Sequence, residues 1–212
     1  MLAKEPRPGR VKTRLCPPCS PDEAAALAAA SLADTLEAAV DSGADRVVVA
    51  LDGRPGPWLP PGVVVVDQGT GGLDRRLATA WSQARGPALQ VGMDTPQVTG
   101  AALAAAGGLL DAPATGVVFG PALDGGWWAV GMRRPDPAVF LGIATSRPDT
   151  GARQRARLAA RHGAVHDLPT LRDVDRFADA VAVAALVPGS RFAAALAGVA
   201  ATHAAPAAGV RA

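Results

Sequence analysis

Short, uniformly apolar runs alternate along this chain with longer stretches in which apolar positions recur every three or four residues. The runs at 46–51, 63–66, 88–92, 115–119, 127–132 and 164–167 read as strands, and the apolar run at 46–51 suits a strand covered on both faces. Ser20-Pro21-Asp22-Glu23 is a helix start, with Ser20 as N-cap, Pro21 in the first turn and Glu23 closing a capping box. That helix extends to about residue 42, carries Leu27, Leu32, Leu36 and Val40 on or near one face, and stops at Gly43. Leu73, Leu77, Trp81 and Ala84 share a face of a second helix, which makes Trp81 a core residue. Further helices are predicted at 99–110, 150–162, 175–186 and 190–201, with Asp175 as N-cap of the third of these.

Strands alternating with helices give an α/β fold wound in βαβ units. Nothing divides the chain, so one domain is expected over 1–202, followed by an Ala/Pro/Gly tail at 203–212 expected to be disordered. In such folds ligands lie at the carboxyl ends of the strands. That rule selects Asp94, Asp124 and the loops around Asp52 and Gly69.

Charge changes this picture at one place. Of 21 Lys and Arg the chain has only two lysines, Lys4 and Lys12, and both lie in its first basic stretch. Lys4-Glu5-Pro6-Arg7-Pro8-Gly9-Arg10-Val11-Lys12-Thr13-Arg14 sets five cations against one acid, with Pro and Gly excluding a helix. It reads either as a solvated basic arm or as a polyphosphate-binding loop whose N–H groups and cations meet the anion together. The net charge of +2 argues for neither a nucleic-acid nor a membrane partner. No apolar run approaches the roughly 20 residues a membrane span needs, and Lys4 to Arg14 stand where a signal peptide would be apolar. A cytoplasmic protein is expected.

Three acidic positions carry the remaining chemistry. Asp94, after a buried strand and before Thr95-Pro96, could hold a divalent cation on a nucleotide's phosphates or serve as an N-cap or turn residue. Asp124-Gly125-Gly126 could face a sugar or acceptor, or form a hairpin turn. Of Trp127 and Trp128, on opposite faces of a strand, one belongs to the core and the other can wall a pocket. Asp175 is an N-cap or a second metal ligand. Cys16-Pro17-Pro18-Cys19 could be a redox pair or half a zinc site with His162 and His166, or two incidental thiols.

Five motifs occur in order: Ala3-Lys4-Glu5-Pro6-Arg7-Pro8-Gly9-Arg10-Val11-Lys12-Thr13-Arg14-Leu15, Gln68-Gly69-Thr70-Gly71-Gly72-Leu73, Gly92-Met93-Asp94-Thr95-Pro96, Gly120 to Trp128, and Asp173-Val174-Asp175. Together they resemble the bacterial family of small GT-A-fold transferases known as arsenosugar-biosynthesis glycosyltransferases or radical-SAM/selenodomain-associated transferases. The resemblance covers about residues 1–187, and nucleotide-diphospho-sugar transferases and 2-phospholactate guanylyltransferase are wider relatives. It implies a single GT-A domain, three layers α/β/α with a mostly parallel sheet. The family's opening strand is reduced here to Met1-Leu2-Ala3, through a late start or a lost strand. The chain also departs from the family pattern at Asp74-Arg75, Leu123, Ala144 and Arg176.

The same resemblance implies the roles. Lys4, Gly9, Arg10, Lys12, Arg14 and Gly72 would bind the nucleotide, with Lys12 also stabilising the leaving group. Asp94 and Asp175 would hold Mg²⁺ or Mn²⁺. Gly125, Gly126 and Trp127 would face the substrate, and Asp124 would be the acceptor base. The expected function is metal-dependent transfer from a nucleotide sugar to a small-molecule acceptor. The alternatives are a nucleotidylyltransferase acting on an NTP, and a nucleotide-binding remnant without turnover.

Overall fold

Seven strands are interleaved with the first four helices in the computed structural model, which describes residues 1–112 and 115–204. Three strands form one parallel sheet: β1 (Leu2–Lys4), β2 (Val48–Asp52) and β3 (Val64–Asp67), in that spatial order. A second sheet has the order β4-β6-β5-β7, built from β4 (Ala88–Val91), β5 (Val117–Pro121), β6 (Trp127–Met132) and β7 (Val165–Asp167). There β6 runs antiparallel to both β4 and β5, while β7 is parallel to β5.

The sequence pattern suggested one sheet. Among the described residues no ladder joins β1 to β4; the Lys4 N–H instead meets Met93 Sδ, just beyond β4, at 3.5 Å. The three-residue β1 pairs with β2 alone. A seam therefore runs down the middle of the strand layer.

Helices cover both faces. On one lie α1 (Pro21–Asp41) and α3 (Gly100–Asp111). Leu32 and Leu36 of α1 pack on Ala3, Val49 and Leu51, and Leu103 of α3 packs with Val91 and Trp128. On the other lie α2 (Leu73–Trp81) and α4 (Thr150–His162), whose Leu77, Trp81 and Leu158 enclose Phe119, Val130 and Phe140. The strands serve both faces because alternate side chains point opposite ways. The result is a single α/β/α domain. The outer face of α1 is covered by α5 (Phe177–Leu186) and α6 (Arg191–Ala204), with Phe192, Val183 and Leu15 fully buried between them.

The start of α1 follows its sequence signal closely. Ser20 Oγ accepts the Glu23 N–H at 3.2 Å, and Glu23 Oε2 accepts the Ser20 N–H at 2.7 Å. Ser20→Ala is expected to cost about 1 kcal/mol of stability, read as a lower urea midpoint at unchanged slope. Two expectations need correction at the ends of helices. Val40 is 41% exposed, and the last buried position on that face is Leu36. Asp175 is not the N-cap of α5: Arg176 holds that position, and its N–H is satisfied by Asp179 at 2.9 Å. Asp175 is thereby released for other contacts.

Helix α6 continues through His203 and Ala204, two residues into the expected tail. The rest of that tail lies outside the described residues. Cys16 and Cys19 are free thiols set against the α1–α5–α6 core. No helix among the described residues is long and apolar enough to cross a membrane.

Candidate functional site

A cleft of about 690 Å³ opens along the seam between the two sheets. Its floor is built from β1 and β4, including Leu2, Ala3, Gln90 and Val91. One wall is the basic loop that follows β1; the facing walls are the β4–α3 and β5–β6 connections and the segment before α4.

The basic loop is fixed in place, not a solvated arm. Val11 is buried against Ala25 and Ala28 of α1, and Leu15 is buried in the core beneath α6. Glu5 ties its start to the β2–β3 connection by accepting the Arg54 N–H at 2.7 Å, and pairs with Arg7 at 2.8 Å. Between these anchors Lys12 adopts a left-handed conformation, φ 47° and ψ 35°. That conformation costs a non-glycine residue about 1–2 kcal/mol and persists only where the surroundings impose it.

The conformation aims Lys12 across the cleft. Its Nζ lies 2.9 Å from Asp94 Oδ2 and 3.5 Å from Asp175 Oδ1, and it donates to the Val174 carbonyl. Arg14 reaches the other oxygen of Asp175 at 2.7 Å. Asp94 is not a helix cap, since Thr99 caps α3 by accepting the Ala102 N–H. The Asp94 carbonyl instead accepts the Val174 N–H at 3.0 Å, pinning the Asp173–Asp175 segment beside it. Release of Asp175 from capping is what lets its carboxylate enter this cluster.

Asp173 and Asp124 complete a group of four carboxylates at the cleft. Burial, reinforced by the nearby Asp94 and Asp124 carboxylates, pushes Asp173 up to about 7 despite Lys12. Asp94 Oδ1 is buried and has no hydrogen-bond partner. An all-oxygen donor set with an orphaned buried carboxylate oxygen suits a hard divalent cation such as Mg²⁺ or Mn²⁺. Among the described residues no three acidic side chains converge as a ligand cluster, and the Lys12 ammonium pairs with both Asp94 and Asp175.

The Asp124 segment is both a hairpin turn and a cleft wall. Asp124 Oδ1 accepts the Gly126 N–H at 2.7 Å, and Asp124, Gly126 and Trp127 line the cleft. Trp127 also packs toward Phe140, at 6.1 Å between ring centroids. Trp128 is the core member of the pair, with Nε1 donating to the Pro169 carbonyl at 2.9 Å. Of the nucleotide-binding candidates, Lys4, Arg10, Lys12 and Arg14 line the cleft. Gly9 and Gly72 do not, nor does Gly125 of the substrate-facing candidates. Gly9 is a glycine for its φ of +71° in open space, Gly72 is the N-cap of α2, and Gly125 packs against the chain before α4.

Other lining groups had no assigned role in the sequence. Gln68 is buried and donates through Nε2 to the Ala3 and Ala50 carbonyls, at 3.1 and 3.0 Å. That fixes its Oε1 toward the Arg76 guanidinium, which lies 3.7 Å from Asp52. Thr145 and Ser146 line the opposite wall, where Thr150 Oγ1 clamps their loop between the Arg147 N–H and the Ala144 carbonyl. Arg76 follows Leu73 by three residues and precedes Leu77 by one, so its position on the cleft side of α2 was readable from helical spacing. The Thr150 clamp left no such signal.

A family model described as "Uncharacterized protein conserved in bacteria (DUF2064)" matches residues 24–147. No curated protein matches the chain. Among solved structures, the chain is similar to a protein from Desulfovibrio desulfuricans G20 assigned provisionally as a nucleotide-diphospho-sugar transferase. The identity is 25%, the TM-score 0.82, and the match covers 94% of this chain and 93% of that one. Rv0371C from Mycobacterium tuberculosis H37Rv, solved as a manganese complex, matches at 23% identity over 72% of this chain and 85% of its own, with a TM-score of 0.45.

Proposed function

This chain belongs to the DUF2064 family, and from that premise and the geometry of the cleft we propose that it is a metal-dependent transferase using a nucleotide-activated donor. The reaction is glycosyl transfer to a small-molecule acceptor, in the cytoplasm. The observation that carries this reading is the facing arrangement across one cleft, a fixed cationic loop on one wall and a carboxylate cluster on the other. The likeness to the Desulfovibrio protein supports the donor class.

Each wall then has a task. The donor's diphosphate lies against the loop, where Arg10 is exposed at the cleft and Lys12 and Arg14 stand behind it. Charge developing on the leaving diphosphate is stabilised by the cations of this loop. Asp94 and Asp175 would hold a divalent cation, which would supply further neutralisation of that diphosphate. The sugar and acceptor occupy the side of Asp124, Gly126 and Trp127, with Asp124 taking the acceptor's hydroxyl proton. Gln68 holds Arg76 on the floor as a fixed donor for the activated substrate.

Incubation with Mn²⁺, a panel of nucleotide sugars and NTPs, and mixed small acceptors tests this reading. Release of nucleoside diphosphate is expected. Release of pyrophosphate would make the protein a nucleotidylyltransferase, and nucleotide binding with no product would make it a non-catalytic binder. Arsenic-containing and phospholactate-like acceptors belong in the panel because of the sequence resemblance.

A further inference from the structure

An ammonium group has three N–H donors and no acceptor. Lys12 Nζ has three oxygen neighbours: Asp94 Oδ2 at 2.9 Å, Asp175 Oδ1 at 3.5 Å and the Val174 carbonyl. Its charge is thus engaged within the protein by one hydrogen bond and two ion pairs, and its side chain is only 9% exposed. In this state Lys12 cannot serve a donor phosphate. It occupies the gap between the two carboxylates that a divalent cation would bridge, while Asp94 Oδ1 remains buried and unpartnered.

These two facts make the tasks given to Lys12 and to Asp94 mutually exclusive in one conformation. We propose that Lys12 is the exchangeable resident cation of the site. A divalent ion and the Lys12 ammonium compete for Asp94 and Asp175, and entry of the ion releases Lys12 toward the donor's phosphates. The inference rests on the metal-dependent reading above and adds to it a definite order of contacts. Before exchange, Lys12 neutralises carboxylates that would otherwise repel one another. After exchange, the released ammonium and the ion both face the diphosphate. The ion's affinity is lowered by the need to displace Lys12, and a diphosphate restores it by giving the ammonium a new partner. By linkage the ion and the nucleotide then strengthen each other equally.

The chain's lysine content makes this measurable in the unmodified protein. Lys4 and Lys12 are its only lysines, and Lys4 is exposed. Brief acylation with an amine-reactive ester, read by mass spectrometry, reports Lys12 reactivity with Lys4 as internal reference. Lys12 is expected to react slowly without metal, and saturating Mn²⁺ is expected to raise the Lys12/Lys4 ratio about fivefold or more. In parallel, Lys12→Met is expected to bind Mn²⁺ about tenfold more tightly than the wild type in the absence of nucleotide, by electron paramagnetic resonance titration. Mn²⁺ binding with an unchanged Lys12/Lys4 ratio overturns the exchange and leaves the metal reading standing. Failure of both proteins to bind Mn²⁺, with or without nucleoside diphosphate, overturns the metal reading and the exchange with it.

Discussion

Asp94→Asn is expected to erase the Mn²⁺ dependence of nucleotide binding while leaving the fold intact. Asparagine keeps the shape of the side chain and an oxygen acceptor for Lys12 Nζ, now 2.9 Å away on Asp94 Oδ2. The backbone bond from the Val174 N–H to the Asp94 carbonyl is untouched, so the Asp173–Asp175 segment stays in register. What disappears is the negative charge, and with it the reason for a hard cation to prefer this position over water. Nucleoside diphosphate affinity in saturating Mn²⁺ should fall on the order of a hundredfold, within the range for removing one partner of a desolvated charge pair. Without metal the two proteins should bind nucleotide within a few-fold of one another. Calorimetric titrations with and without Mn²⁺ measure both quantities. A variant whose affinity still rises with Mn²⁺ as the wild type's does would remove Asp94 from the metal site.

The position of Asp94 was legible because a buried apolar run followed by Asp-Thr-Pro encodes a strand end locally. The capping box at Ser20 and the strand at Trp127–Met132 were legible for the same reason, each being written in a few adjacent residues. The contacts that organise the site were not. Lys12 meets Val174 across a sequence separation of 162 residues, and neither partner's neighbourhood encodes that meeting. Asp175 illustrates the competition. Its sequence context is that of an N-cap, but Asp179 satisfies the Arg176 N–H and leaves Asp175 free to pair with Lys12 and Arg14. The seam between the sheets was equally hidden, because apolar strand patterns specify burial but not which strands share a ladder. That seam matters for function, since the cleft occupies it.

Glycine chemistry supplies the second large effect: Gly125→Ala is expected to destabilise the protein by about 3 kcal/mol or more. The sequence suggested that Gly125 was small so that a ligand could approach. The structure gives a different reason. A Cβ at Gly125 would stand 2.0 Å from the Pro148 carbonyl oxygen, a backbone atom that cannot swing aside, and φ is +88°. Gly151 faces the same contact from the other side. Its N–H donates to the Gly125 carbonyl at 2.8 Å, and a Cβ there would lie 2.2 Å from the Gly126 oxygen. The first turn of α4 is thus docked directly onto the Asp124 turn, backbone against backbone. Any added carbon must push the two apart, displacing Thr145 and Ser146 from one wall of the cleft and Asp124 from another. The comparison is Gly108→Ala, on an exposed turn of α3 with open space around it. That substitution should raise stability by about 0.5–1 kcal/mol through helix propensity alone. Urea unfolding of the two variants should therefore move the midpoint in opposite directions. A Gly125→Ala protein within 1 kcal/mol of wild type would mean that the α4 start is not held against this turn, and the cleft wall built on that contact would fall with it.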